Sequence, residues 1–248
     1  MIHLARAELL KLRSTRTAMG LGIATAVVAL VPSILLVALL PIDDLSRDQA
    51  ATDLIGVSAL VPYVLLVFGI LGMTNEYRHG TITYTYLATP RRWQVMVVKL
   101  AVYALVGMVL MLLTLVAVHL VVLIGGEARG VSMLTFGDLD FVDYARQIVV
   151  AGLMTAFGVS LGALFRAQVP TVASVLIWAL AVEGIIAAFK PAVGTWLPFV
   201  VFAQVTGGRL GGDTGVGLGR PEAFLVSIAY IGIASVAAVY LSMRRDVT

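Results

Sequence analysis

Six stretches of this 248-residue chain are long and apolar enough to cross a lipid bilayer, and they leave little room for anything else. They run over about residues 18–40, 54–73, 101–124, 147–165, 169–189 and 223–243. A spanning helix needs about 20 predominantly apolar residues. In hydrocarbon a backbone can satisfy its own N–H and C=O groups only as a helix or a closed barrel, and uniformly apolar runs of this length are helices. With 60% hydrophobic and 12% charged residues, the composition lies outside that of a soluble domain. The expected fold is therefore an all-α polytopic membrane protein, with residues 1–248 as one domain. The formal charge of +3 is too small and too dispersed to suggest a nucleic-acid partner. Without cysteine there is no disulfide framework and no thiolate metal site. The first apolar run is too long for a signal-peptide core and follows a polar start of 17 residues, which reads against a cleaved leader.

Basic residues orient the spans, because cytoplasmic loops collect Lys and Arg. Placing both tails and the connections after spans two and four inside puts eleven of the seventeen basic residues there: Arg6, Lys11, Arg13, Arg16, Arg78, Arg91, Arg92, Lys99, Arg166, Arg244 and Arg245. Ten of the fourteen acids fall on the other side, among them Asp43, Asp44, Asp48 and Asp53. Both termini are thus expected in the cytoplasm. Residues 1–17 read as a basic amphipathic helix in the headgroup layer, with Ile2, Ala5, Leu9 and Leu12 on its apolar face. The apolar segment from Trp196 to Val205 is too short to cross and reads as a re-entrant or interfacial helix. The glycine-rich stretch after it ends without Lys-Ser/Thr, so it reads as a loop and not as a phosphate cradle.

The polar interlude Thr74–Leu100 carries the most specific signal. Glu76-Tyr77-Arg78 stands where the second span leaves the membrane, Gly80-Thr81 follow, and Thr89-Pro90 reads as an N-cap with proline at the first helical position. Between them, Thr81 to Tyr86 alternates like a strand. An isolated strand here has no partner for its backbone, which favours a helix. An acid at the end of span two, then Arg-x-Gly-Thr, an apolar stretch ending in Leu, Thr-Pro-Arg and a Lys at the foot of span three resembles the ATP-binding-cassette export permeases of the second type. The residues that carry the resemblance are Glu76, Arg78, Gly80, Thr81, Leu87, Thr89, Pro90, Arg91 and Lys99.

The resemblance implies a coupling helix within about Gly80–Leu87, docking on a separate cytoplasmic ATPase that binds ATP and Mg. It also implies a polar cluster of Glu76 and Arg78 reaching the N-terminal helix, a second permease copy or homologue, and a pathway lined from spans two and five. Export across the plasma membrane would then be driven from the partner. This chain has no G-x-x-x-x-G-K-[ST] of its own, and no cofactor is expected on it. The plainer reading of Glu76 and Arg78 is an interfacial ion pair.

Three other positions could carry chemistry. Glu183 is an acid within span five, where such a residue is costly and marks either a substrate pathway or an ion pair, here with Lys190. Gly158-Val159-Ser160-Leu161-Gly162 matches a nucleophile elbow in letters, but that motif needs a strand-to-helix turn. Gly158 and Gly162 instead suit close helix packing, within one chain or across a dimer. His119 stands alone among Val and Leu. An intramembrane hydrolase built on Ser160, His119 and Glu183 is one alternative, and a non-transporting scaffold or immunity protein is another.

Overall fold

The computed structural model describes residues 2–41, 56–89, 91–131, 141–207 and 217–244. All secondary structure among them is helical. In chain order the helices are α1 (Ile2–Ser14), α2 (Arg16–Leu39), α3 (Val61–Arg78), α4 (Thr81–Ala88), α5 (Arg92–Ala128) and α6 (Phe141–Phe165). The fifth spanning helix, α7, covers Gln168–Phe189. After it come α8 (Pro191–Gly194), α9 (Pro198–Val205) and α10 (Arg220–Arg244). Six of them, α2, α3 (with the 3-10 turn before it), α5, α6, α7 and α10, are long and apolar enough to cross a membrane. The acidic connection 42–53 and most of the glycine-rich loop lie outside the described residues.

The prolines fall where their missing N–H is tolerated. Pro62 occupies the first turn of α3 after a 3-10 turn over Val57–Leu60, not the interior of a span. Pro32 lies inside α2, where Ser33 returns a hydroxyl bond of 2.7 Å to Ala29 O. At the C-terminal end of α2, Arg129 donates to the carbonyls of Val37 (2.7 Å) and Leu40 (2.6 Å). A cation there satisfies carbonyls that have no intrahelical partner.

Helix α6 is the axis of the bundle. Its most apolar window is 67% buried, against 22% for α2 and α7 at the edges. It packs on α3, α5 and α10. The α3–α6 approach is set by glycine. A Cβ on Gly69 would lie 2.1 Å from Thr155 O, and one on Gly158 would lie 2.1 Å from Leu66 O. Gly162 faces Ile70 O at 2.8 Å in the same way. Both glycines of the G-x-x-x-G pattern thus face α3 of their own chain, and backbone meets backbone at this seam.

The interface yields a direct test. Gly158→Ala is expected to lower the thermal midpoint in detergent, since overpacking a tight seam costs about 1–3 kcal/mol and here the obstacle is backbone. Gly20→Ala, where nothing lies within 4 Å, is expected to leave it unchanged or slightly raised.

Candidate functional site: the charged knot where three helices converge

The interlude Thr74–Leu100, expected as a connection between spans with a short helix inside it and a new helix starting at Thr89-Pro90, is almost all helix: the last turn of α3, then α4, then the first turns of α5. Helix α5 has 37 residues. At a rise of about 1.5 Å each it spans roughly 55 Å, well beyond the ~30 Å of a hydrocarbon core. Lys99 therefore rides on a continuous rod. Thr89 does not cap α5. It is extended (φ −135°, ψ 91°) and closes α4 by donating to Thr85 O at 3.0 Å, while α5 begins at Arg92. A residue before proline is pushed out of the helical region, so Thr89 ends one helix and does not start the next. Pro90 itself lies outside the described residues.

Four charges meet where α1, α3 and α5 converge. Lys99 Nζ donates to Glu8 Oε2 at 2.6 Å and to Glu76 Oε1 at 2.9 Å. Lys11 Nζ donates to Glu8 Oε1 and to Glu76 Oε1, both at 2.8 Å. Lys99 is 0% exposed and Glu8 1%. Two carboxylates and two ammoniums alternate, so the knot is neutral, and each charge is held by opposite charges. Desolvating such groups costs several kcal/mol per ion, which only close pairing of this kind offsets. For Glu8, burial pushes the carboxyl up, but Lys99 and Lys11 outweigh it and hold the group below its ordinary value. For Lys11, burial pulls the ammonium down, but its bonds to Glu76 and Glu8 win and raise it.

Glu8 is the member that sequence reading missed. The apolar spacing singled out Ile2, Ala5, Leu9 and Leu12, yet Ile2 and Leu9 are exposed and the inward face centres on Glu8. A lone acid in a basic segment, three residues before Lys11, was the available signal. Arg78 is not among the partners of Glu76. Its Nη1 donates to Gln168 Oε1 at 3.1 Å, tying the end of α3 to the start of α7.

Around the knot, the inner surface is braced by cations over rings. Arg166, in a left-handed conformation (φ 59°) between α6 and α7, stands 5.1 Å over the Tyr77 ring. Arg92 stands 5.0 Å over Tyr86. Burial raises the Tyr86 phenol well above its ordinary value, so it stays protonated. Gly80 turns the chain from α3 into α4 at φ +67°, a conformation suited to glycine. Thr81 Oγ1 reaches Glu76 O at 3.4 Å. In α4, Ile82 is buried, while Tyr84 and Leu87 are each 74% exposed. Arg91 is exposed at the N-cap of α5.

The remaining candidates have partners of their own. Glu183 is buried and follows a π-helical turn, Trp178–Val182. Its Oε2 accepts from the N–H groups of Phe199 (2.9 Å) and Val200 (3.0 Å), and its Oε1 from Trp178 Nε1 (2.6 Å). It thus holds the first turn of α9, whose orphan N–H groups favour an anion. Among the described residues it forms no ion pair with Lys190. Ser160 Oγ is bonded to Ala156 O (3.0 Å) and Ser235 Oγ (2.9 Å), and His119 lies edge-on to Tyr144. Among the described residues, no group of three or more His, Cys, Asp or Glu could hold a metal ion.

These features define a polytopic helical membrane protein in which α1 and the ends of α3 and α5 are locked together beside the short helix α4. The chain matches the family model described as ABC-2 family transporter protein over residues 4–182, and it belongs to that family. It is a membrane permease of an ATP-binding-cassette transporter, a transport subunit that works with an ATP-binding-cassette ATPase. No curated protein matches it.

Three tests follow from this geometry. Lys99→Met is expected to destabilise the protein by about 3–5 kcal/mol, because it leaves two buried carboxylates, Glu8 and Glu76, sharing the single ammonium of Lys11, and Lys99→Met with Glu8→Gln to recover part of that loss. A depressed Glu8 stabilises α1 docking above its ordinary pKa of 4.5 and loses that contribution as pH falls. A raised Lys11 contributes below 10.5 and loses that contribution as pH rises. Hydrogen exchange over residues 2–14 is therefore expected to be slowest relative to its intrinsic rate between those values, with protection lost on both sides. Separately, Glu183→Ala is expected to speed exchange at the Phe199 and Val200 amides at least about tenfold, since hydrogen bonds to a charged group are worth ~1.5–3 kcal/mol.

Proposed function

We propose that this permease is the transmembrane subunit of a plasma-membrane exporter, and that the ATPase grips it through α4. The observation that carries the proposal is the orientation of α4. Ile82 roots it in the bundle, the Arg92–Tyr86 stack braces its far end, and Tyr84 and Leu87 stand out as an apolar pair. An exposed aromatic and leucine on a short, rigidly held helix suit a groove on a partner protein.

In this reading, ATP and Mg bind on the partner, and closure of the ATPase dimer pushes α4. The push reaches α3 through Gly80 and Thr81, and the knot passes it to α1 and α5 as one body. Helix α1 lies along the cytoplasmic headgroup layer with Ile2, Leu9 and Leu10 turned outward, and both termini are cytoplasmic, in line with the distribution of Lys and Arg. Helix α9 is the re-entrant element on the outer side, held by Glu183. A second copy or homologue completes the pathway, and the weakly charged spans suit an apolar or amphipathic cargo.

Leu87→Asp with Tyr84→Asp is expected to abolish co-purification with the ATPase in mild detergent while leaving the permease's thermal midpoint unchanged. Full retention of the ATPase by this variant would refute docking at α4. Absence of any ATPase from the unaltered complex, even after crosslinking, would favour a scaffold role.

A further inference from the structure

The knot is complete on one side only. Glu76 is 7% exposed, and both cations bind its Oε1, leaving Oε2 buried without a hydrogen-bond partner among the described residues. A buried, unpartnered carboxylate oxygen is costly and calls for a donor. Glu76 also lines a partly open cavity of about 310 Å³ between α1, α2, α3, the start of α4 and Tyr103 in the first third of α5. That volume is many times what a single bridging water requires.

The cavity has the wall chemistry of an amphiphile site. Leu12, Leu21, Phe68 and Leu71 make one apolar surface. Lys11, Asn75, His79 and Thr15 also line it. Lys11 spends two of its three ammonium N–H groups on Glu8 and Glu76, and its side chain remains 41% exposed, so one N–H is available to an anion. The short linker between α1 and α2, where the apolar span begins, borders the cavity and sets it at headgroup depth. An acceptor needing a donor, a cation with a free N–H beside it, and an apolar wall together match a zwitterionic headgroup with acyl chains.

We infer that this cavity binds a phospholipid with a primary-amine headgroup, of the phosphatidylethanolamine type, from the adjacent leaflet. Its ammonium donates to Glu76 Oε2, its phosphate accepts from Lys11, and its glycerol and first acyl carbons lie on Leu12, Phe68 and Leu71. A choline headgroup has no N–H and cannot complete Glu76. An anionic headgroup meets the carboxylate with no cation to offer it. The lipid would thus finish the knot from outside, whether or not α4 docks an ATPase.

The test is native mass spectrometry of the purified permease, released from nanodiscs holding equal amounts of phosphatidylethanolamine, phosphatidylcholine and phosphatidylglycerol of identical chains. Retention of phosphatidylethanolamine about tenfold over phosphatidylcholine is expected, the ratio that one charge-assisted bond supports. Leu71→Trp fills the cavity without altering a charge, and it is expected to abolish that preference; Glu76→Gln is expected to reduce it. Equal retention of all three lipids, preference for phosphatidylglycerol, or a preference that survives Leu71→Trp would overturn the assignment.

Discussion

One end of the helix bundle depends on one constraint: Lys99 is fully buried and cannot be left unpaired. An ammonium in that position must be neutralised, and the nearest oxygens come from two other helices. Glu8 supplies one from α1 and Glu76 the other from the last turn of α3. Because Lys11 bridges the same two acids, loss of any one member leaves the other three with an unbalanced charge. The result is a joint whose stiffness comes from electrostatics in a dry site, and not from the weak apolar attraction that membrane helices have for one another. Few other devices can hold a short surface helix such as α1 so firmly against a spanning bundle.

That joint is connected to the rest of the fold by close backbone contact. Helix α3 bears Glu76 at its inner end and Gly69 in its middle, where it meets α6 through Gly158 and Gly162. Displacement of α3 must therefore be felt by α6, the most buried span. On the opposite side, Glu183 fixes α9 against the end of α7, and Phe199 and Phe202 of α9 pack around Phe157 of α6. The α3 helix that ends in the charged knot and the aromatic α9 thus pack on the same central helix.

Much of this was legible in the residues, and what was not has specific causes. Spans follow from length and hydropathy, and the chain carries six helices long and apolar enough to cross a membrane. The third apolar run, residues 101–124, is shorter than the helix that carries it, because hydropathy marks the span while the helix runs on through the polar residues from Arg92 to Lys99. Glu8 was hidden because a buried acid has no periodic signature, and its importance lies in Lys99, 91 positions away. Thr89-Pro90 misled because the pair suits a helix start as well as a helix end, and only the extended backbone of Thr89 decides. Thr81–Tyr86 alternates like a strand, yet with no edge to pair with, its backbone closes on itself as α4. Glu183 was visible as an anomaly, whereas its donors, two backbone amides on α9, leave no trace in side-chain identity.

The central claim is that α1 and α5 move as one body when the ATPase closes. The most direct test places spin labels at the exposed positions Leu10 and Trp93, with a second pair at Leu10 and Ile233, in the assembled transporter. Distances are then compared between nucleotide-free and ATP-trapped states. The account predicts that the Leu10–Trp93 distance stays constant while Leu10–Ile233 changes, and that Lys99→Met uncouples the first pair. A Leu10–Trp93 distance that shifts with nucleotide in the unaltered protein would contradict it.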